Sequence, residues 1–365
     1  MSTKFTTKAA IPSGILKAYG MREESVEVEV LGKGNINDTF LASSSNQRAV
    51  FQKISSVVFP KPTEVAANFQ YVSTHIHRRK KKIDPDYQCA RLIPTRQGKG
   101  WHIDEDGECW RVQEYVDHTP VDGAPLSYDK AVQLGRVLGR FHRLTEDLDV
   151  NKLYEPIPGF HRTLRYLENF DKAIQGRQVT DSTLLSQCVE YVDKYRGTAE
   201  ILERERASGN LAVRVMHGDP KVDNIIWSKT GRAEGLFDLD TVGPGLRLYD
   251  LGDCLRSSCN IIGEEAKPGE VAFAAEVFQA LLEGYFSVGD HFLSRIEKQL
   301  IVDAALTITL ELGVRFLTDY LSGDVYFKTS RTAQNLDRAL VQFHLADSIK
   351  SQEIRLRDLT NPTDS

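Results

Sequence analysis

The sequence predicts an α+β chain of two lobes, a small β-rich N-terminal lobe and a larger helical C-terminal lobe. Up to about residue 117 the apolar residues come in short alternating runs broken by glycine and proline. Beyond residue 120 they recur every three to four positions, the helical period. A length of 365 residues also suits two domains, or two lobes around one shared cleft. The expected division is 1–117, 118–355 and a polar tail over 356–365.

Val26, Val28 and Val30 alternate with Glu27 and Glu29, the pattern of a half-buried strand. Gly32 and Gly34 then mark a turn that leads through Asn35, Ile36, Asn37, Asp38 and Thr39 into a second strand. A third strand covers 48–54; Pro60 and Pro62 end it, and a helix follows over 63–80. Two more strands fall at 101–103 and 110–115, joined by the acidic turn Asp104-Glu105-Asp106-Gly107. In the second lobe Ser127 is a good N-cap for a helix with Ala131, Leu134, Leu138 and Phe141 along one stripe. Further helices are expected from residue 163 and over 182–208, then a short buried strand at 213–216. A hairpin pairs 224–227 with 235–239 across Lys229-Thr230-Gly231, and 248–355 reads as helical. The tail 356–365 is expected to lie outside the packed structure.

Composition narrows the partners. A formal charge of −5 argues against nucleic acid, whose recognition rests on concentrated Lys and Arg. Five widely spaced cysteines, with no C-x-x-C pair, read as reduced thiols rather than a disulfide framework or zinc site. No signal peptide stands out, and the most apolar region, 301–314, is interrupted by Asp303 and Glu311 and is too short for a membrane span. A cytoplasmic protein with a small-molecule substrate, as a monomer or weak homodimer, is the expectation. The basic run Arg78-Arg79-Lys80-Lys81-Lys82 reads as a solvated helix end, and His75 and His77, two apart, do not share a helix face.

The chemistry concentrates in Met216-His217-Gly218-Asp219-Pro220-Lys221-Val222-Asp223-Asn224, followed after the hairpin by Asp238-Leu239-Asp240. Phosphoryl transfer needs a carboxylate to orient the attacking hydroxyl and oxygen ligands for Mg²⁺. Asp219 and Asn224 on one tight loop, with Asp238 from the neighbouring hairpin, supply that set. Each residue alone would read as an ordinary turn or cap; the ordered combination reads as a kinase.

This H-G-D-x-x-x-x-N, hairpin, D-x-D order resembles the aminoglycoside phosphotransferase and choline kinase superfamily, relatives of the protein kinases. Several motifs together resemble its N-acetylhexosamine 1-kinase branch. They are Gly34-Asn35-Ile36-Asn37-Asp38-Thr39, Phe51-Gln52-Lys53-Ile54, Val58-Phe59-Pro60-Lys61-Pro62, Asp238 to Gly245, Tyr249-Asp250-Leu251-Gly252-Asp253 and Arg315 to Leu321. The resemblance implies a two-lobed protein-kinase-like fold and transfer of the ATP γ-phosphate, with Mg²⁺, to the anomeric hydroxyl of an N-acetylhexosamine. It implies Asp219 as the base, Asn224 and Asp238 as magnesium ligands with Asp240 assisting, and Asp250 as a carboxylate bracing the loop. His217 reads as a loop-fixing residue rather than a proton shuttle.

On the nucleotide side Gly32 and Gly34 would lay backbone N–H groups over phosphates, and Gln113-Glu114-Tyr115-Val116 would meet adenine at the lobe junction. Gln52 stands where many relatives carry a phosphate-pairing lysine, and Lys53 beside it should face the opposite way. On the acceptor side the resemblance points to Asn35, Asp38, Arg315 and Tyr326; Asn35 replaces the branch's usual histidine, and Arg315 could instead pair with Asp319. Two alternatives stay open: a kinase of another small alcohol, such as an amino alcohol, homoserine or an aminoglycoside, and a pseudokinase binding module. Only Gln52 points to the latter.

Overall fold

The computed structural model describes residues 11–31, 36–45, 47–119, 126–176 and 183–360. A short helix, α1 (Ser13–Ala18), comes first and is absent from the sequence reading, because six residues are too few to display a period. Burial holds it: Ile15, Leu16 and Tyr19 pack with Phe51, Trp110 and Val112, and the Tyr19 hydroxyl donates to the Trp110 carbonyl at 3.2 Å.

Five strands form one antiparallel sheet: β1 (Glu27–Val30), β2 (Asp38–Ser43), β3 (Arg48–Ile54), β4 (Trp101–Ile103) and β5 (Cys109–Glu114), in the order β1-β2-β3-β5-β4. β1 lies at the edge and is more exposed than its alternation suggests, with Val30 64% accessible. Helix α2 (Pro62–Ile83) covers the sheet with Val65, Ala66, Phe69, Val72 and Ile76, all on one helical stripe. Its basic end is not simply solvated. Arg79 pairs with Asp147, and Lys80 donates to the Tyr87 carbonyl.

The second lobe starts with α3 (Tyr128–Leu144), where the Ser127 hydroxyl caps the Lys130 N–H at 3.3 Å. Next are α4 (Thr163–Ile174), α5 (Thr183–Tyr195) and α6 (Ala199–Ala207). The single helix expected over 182–208 is therefore two, broken by a 3₁₀ turn at Arg196-Gly197-Thr198, where glycine disfavours continuous helix. Four short strands build the centre: β6 (Arg214–Met216), β7 (Ile225–Trp227), β8 (Ala233–Leu236) and β9 (Gly243–Gly245). β7 pairs with β8 as the expected hairpin; β6 pairs with β9, a strand too short and glycine-rich to read from sequence.

Six helices complete the lobe: α7 (Arg247–Cys259), α8 (Ala275–Phe286), α9 (Arg295–Gln299), α10 (Ile301–Ser322), α11 (Gln334–Ser351) and α12 (Glu353–Thr360). α12 corrects the expected tail, since Leu356 and Thr360 are buried and Arg357 makes a bidentate pair with Asp303. All five cysteines are buried free thiols. No helix among the described residues is long and apolar enough to cross a membrane.

Helices α3 and α8 touch backbone to backbone. A Cβ on Gly135 would fall 1.8 Å from the Leu281 carbonyl oxygen, and one on Gly284 1.9 Å from that of Val132. Only glycine allows this approach, and it draws Phe141 and His142 of α3 in beneath the β6 loop.

The lobes are joined by a buried polar clamp. Thr39, Gln52 and Arg111 lie in one cross-strand row on β2, β3 and β5. Gln52 Oε1 accepts from Arg111 Nε at 3.0 Å and Nη2 at 2.8 Å. Arg111 then donates to one Asp240 oxygen, and Asn37 Nδ2 donates to the other. Asn68 of α2 adds a second tie, donating to the carbonyls of Val242 at 2.9 Å and Tyr154 at 2.8 Å. Asp240, expected to assist the metal, accepts an N-lobe donor on each oxygen and so also ties the lobes together.

Gly135→Ala should lower stability by about 2 kcal/mol or more, since the clash is with backbone rather than a mobile side chain; an unchanged denaturant midpoint would show that the helices separate freely. Arg111→Met should cost about 3–5 kcal/mol by leaving Asp240 buried and unpaired, and Arg111→Met/Asp240→Leu should recover most of that. Additive losses in that double mutant, measured by urea unfolding, would mean the pair is not coupled.

Candidate active site

The loop from β6 to β7 is held from beneath by one carboxylate. Asp250 is wholly buried on α7 and accepts the backbone N–H groups of His217 and Gly218, each at 2.7 Å. His142 Nε2 donates to the same carboxylate at 2.9 Å. Burial pushes the Asp250 carboxyl up, but the His142 hydrogen bond and neighbouring donors outweigh it and leave it ionised below its ordinary range. Gly218 sits at φ +88°, where a Cβ would lie 2.8 Å from the Thr241 carbonyl oxygen. The buried His217 ring fixes the other side. Its Nε2 donates to the Phe237 carbonyl at 2.8 Å, so Nδ1 is free to accept the Asp219 N–H at 3.3 Å.

This loop presents Asp219. Its Oδ2 meets Lys221 Nζ at 2.8 Å and accepts from Asn224 Nδ2 at 2.9 Å. Burial raises the Asp219 carboxyl, but the Lys221 charge and hydrogen bond prevail and hold it below the ordinary carboxylate value. Asn224 Nδ2 also donates to the Asp219 carbonyl at 2.8 Å, which leaves the amide oxygen Oδ1 as its remaining coordinating atom.

Asp238 follows β8 in left-handed conformation, φ 53°, and among the described residues no hydrogen-bond donor sits on its carboxylate. Burial, with the negative charges of Asp240 and Asp219, pushes its pKa up to about 7. A divalent cation would relieve that repulsion. Among the described residues no cluster of three or more His, Cys, Asp or Glu side chains forms a closed metal cage. One carboxylate and one amide oxygen, with substrate oxygens and water completing the shell, suit Mg²⁺ rather than zinc.

Of the residues expected at the nucleotide side, Gly32, Gly34 and Asn35 fall outside the described residues. Gln52 points inward and Lys53 outward, as strand alternation requires. Gln113 donates to Gln52 Oε1 at 3.3 Å; the Glu114 N–H is bonded to the Arg91 carbonyl at 2.9 Å. Tyr115 carries the Arg48 guanidinium 3.7 Å above its ring. The Val116 carbonyl accepts from His118 Nδ1 at 3.1 Å, and the His118 ring packs edge-on against Phe237, beside Asp238.

On the acceptor side Asp38 is exposed and paired with Lys53 at 3.2 Å, while its neighbour Asn37 is buried and donates to Asp240. Arg315 lies on α10 amid four rings, 5.5 Å from Phe160, 5.2 Å from Tyr166, 5.7 Å from Tyr326 and 5.5 Å from Phe327. Asp319, its alternative partner, is taken up by the N–H groups of Val325, Tyr326 and Phe327 and by Asn335. His142 packs and hydrogen-bonds, as expected of it from the sequence. Residues given no role in the sequence reading are Lys221, Asn37, Arg111 and His161; Lys221 and Asn37 stand in the quoted motifs, and Arg111 and His161 act through tertiary contacts.

Comparison with known proteins identifies the family and the fold. Residues 27–290 match the phosphotransferase enzyme family. Among solved structures, a microcompartment-associated aminopropanol kinase is 17% identical with a TM-score of 0.62, over 93% of this chain and 97% of that one. An aminoglycoside phosphotransferase from Alicyclobacillus acidocaldarius is 15% identical, TM-score 0.62, over 96% of each chain. The choline kinase of Cryptosporidium parvum is 16% identical, TM-score 0.57, over 95% of this chain and 94% of that one. At these identities the structures establish a shared two-lobed fold. The family match covers well over half of the sequence, and the chain belongs to the phosphotransferase enzyme family, as an ATP-dependent kinase that phosphorylates a hydroxyl group of a small molecule.

Proposed function

We propose that this enzyme is a sugar kinase that transfers the γ-phosphoryl group of Mg·ATP to the anomeric hydroxyl of an N-acetylhexosamine. Asp219 receives the acceptor hydroxyl, orients its lone pair and takes its proton as the bond to phosphorus forms. A depressed pKa makes Asp219 a weak base, which fits a loose transition state where orientation matters more than early proton removal. Asn224 Oδ1 and Asp238 would hold Mg²⁺, which supplies charge neutralisation on the phosphate oxygens when bound. Lys221, held between Asp219 and Asp238, offers its ammonium to the transferring group.

Arg315 carries the choice of acceptor. It is a cation lodged among aromatic rings and hydrogen-bonded to Tyr326, while Asp319 is engaged elsewhere. Such a site suits hydroxyl and acetamido oxygens and repels an ammonium group. The rival is a cationic amino alcohol, the class named for several of the structural neighbours. Asp253 is the carboxylate that could attract one, but Arg256 bonds its Oδ1 at 2.9 Å and its other oxygen is buried. The observation favours the neutral sugar.

Coupled ADP release with N-acetylhexosamines, plain hexoses, amino alcohols and aminoglycosides tests this directly. Strong turnover should appear with one N-acetylhexosamine; a preference for an amino alcohol would keep the kinase and sink the sugar assignment. Asp219→Ala should lower kcat about 10²–10⁴-fold with nucleotide affinity retained. Arg315→Met should raise the acceptor KM at least about tenfold, the loss of about one charged hydrogen bond, with the KM for ATP unmoved. Because the Asp238 carboxyl is raised to about 7, protons compete with the cation below that pH. The thermal shift produced by Mg·ADP should therefore grow from about pH 6 to about pH 8, and a flat response would remove Asp238 from the metal site.

A further inference from the structure

Three buried histidines surround the loop that presents Asp219, and two of them have one acceptor and one donor as partners. His142 donates to Asp250 and has the Tyr285 hydroxyl 2.8 Å from its other nitrogen; His217 donates to the Phe237 carbonyl and accepts the Asp219 N–H. Each satisfies both contacts as a neutral ring. His161 is different. Its Nε2 lies 3.1 Å from the Gly218 carbonyl oxygen and its Nδ1 lies 3.1 Å from Glu311 Oε1. A backbone carbonyl can only accept. Glu311 accepts on its other oxygen from the Thr163 hydroxyl at 2.9 Å, so the carboxyl is placed to receive a donor on each oxygen. With an acceptor at each end, the ring meets both contacts when each nitrogen carries a proton.

We propose that His161 is a buried imidazolium that grips the Gly218 carbonyl, a positioning residue that sets the direction of Asp219. Gly218 is thereby held at both ends by charge, its N–H by Asp250 and its carbonyl by His161. The ring is itself immobilised. It is almost wholly buried, its ring tilted against Phe160 and Tyr249 with centroids 3.9 Å and 5.4 Å away, in a backbone conformation of φ 56° that non-glycine residues seldom adopt. The charged and titratable groups around it are Glu311 on α10, Tyr249 and Asp253 on α7, and Asp219 beyond Gly218. Arg315 and Tyr166 lie past Glu311. Burial opposes the charge, but Glu311 and Asp253 outweigh it and raise the ring's proton affinity above that of a free histidine. Phe160, next in sequence, is one wall of the Arg315 cage, so the same short segment links acceptor pocket and catalytic loop.

The consequence for turnover rests on Asp219 being the reactive carboxylate, whereas the charge state does not. The deciding experiment is therefore imidazole ¹⁵N–¹H correlation on the ¹⁵N-histidine-labelled full-length protein, with His161→Gln used for assignment. Both His161 nitrogens should remain protonated at about pH 8, where a free histidine is neutral, and Glu311→Gln should release one of the protons. A singly protonated His161 at neutral pH in the unsubstituted protein would overturn the proposal whatever the variants do. Kinetically, His161→Gln should lower kcat about 10–100-fold while the KM for ATP stays within about twofold, as expected for a displaced catalytic group. It should also abolish an alkaline fall in kcat shown by the parent enzyme. Unchanged kcat and pH profile in a folded variant would refute the positioning role; loss of the Asp219 reading alone would leave the ¹⁵N result standing.

Discussion

The structure depends on one dry carboxylate. Asp250 is sealed from solvent, and an ionised carboxylate in such a place costs several kcal/mol unless donors replace its water. Three donors do so, and two are the successive N–H groups of His217 and Gly218. Forming both bonds to a single side chain forces the backbone to turn sharply, and the left-handed Gly218 is the residue that permits the turn. Desolvation thus becomes geometry: the loop follows a path that keeps Asp250 satisfied, and that path presents Asp219. The α3–α8 backbone contact belongs to the same arrangement, because it brings His142 within reach of Asp250.

The second organising interaction replaces a familiar one. With Gln52 rather than a lysine facing inward on β3, positive charge is supplied from β5 by Arg111, and it is spent on Asp240 rather than on an acidic residue of α2. Phe69 of α2 meets the guanidinium with its ring face at 4.8 Å, the contact open to an apolar residue there. The lobes are therefore coupled through the segment that carries Asp238, two residues from the clamp.

Much of this was legible in the sequence, and the reasons are local. The strand of 48–54, the Ser127 cap and the Asp219–Asn224 loop rely on neighbours in the chain, so alternation, cap chemistry and spacing disclosed them. What stayed hidden acts across the fold. Asp240 and Asp38 sit in motifs that suggested ligand roles, but their partners, Arg111 and Lys53, are on other strands. His161 lies in no motif, and Arg111 reads as one more strand residue until Gln52 is seen opposite it. The α5–α6 break and α12 were misjudged for a simpler reason: a lone glycine or a polar stretch does not reveal whether a neighbour waits to bury it.

The charges about the loop also explain how Asp219 can stay ionised while half-enclosed. Lys221 neutralises it directly, and Arg256 adds favourable field. Asp253, whose buried Oδ2 has no hydrogen-bond partner among the described residues, pulls the other way. A site with negative charge on Asp219, Asp238 and Asp253, and cations on Lys221, Arg256 and His161, is close to balanced before substrate enters. Mg·ATP adds net negative charge and a cation together, so binding alters the local balance less than either component would alone. Among the described residues Asp238 has no donor on its carboxylate, and its pKa is raised to about 7. Asp238 is therefore the position where a cation would have most effect.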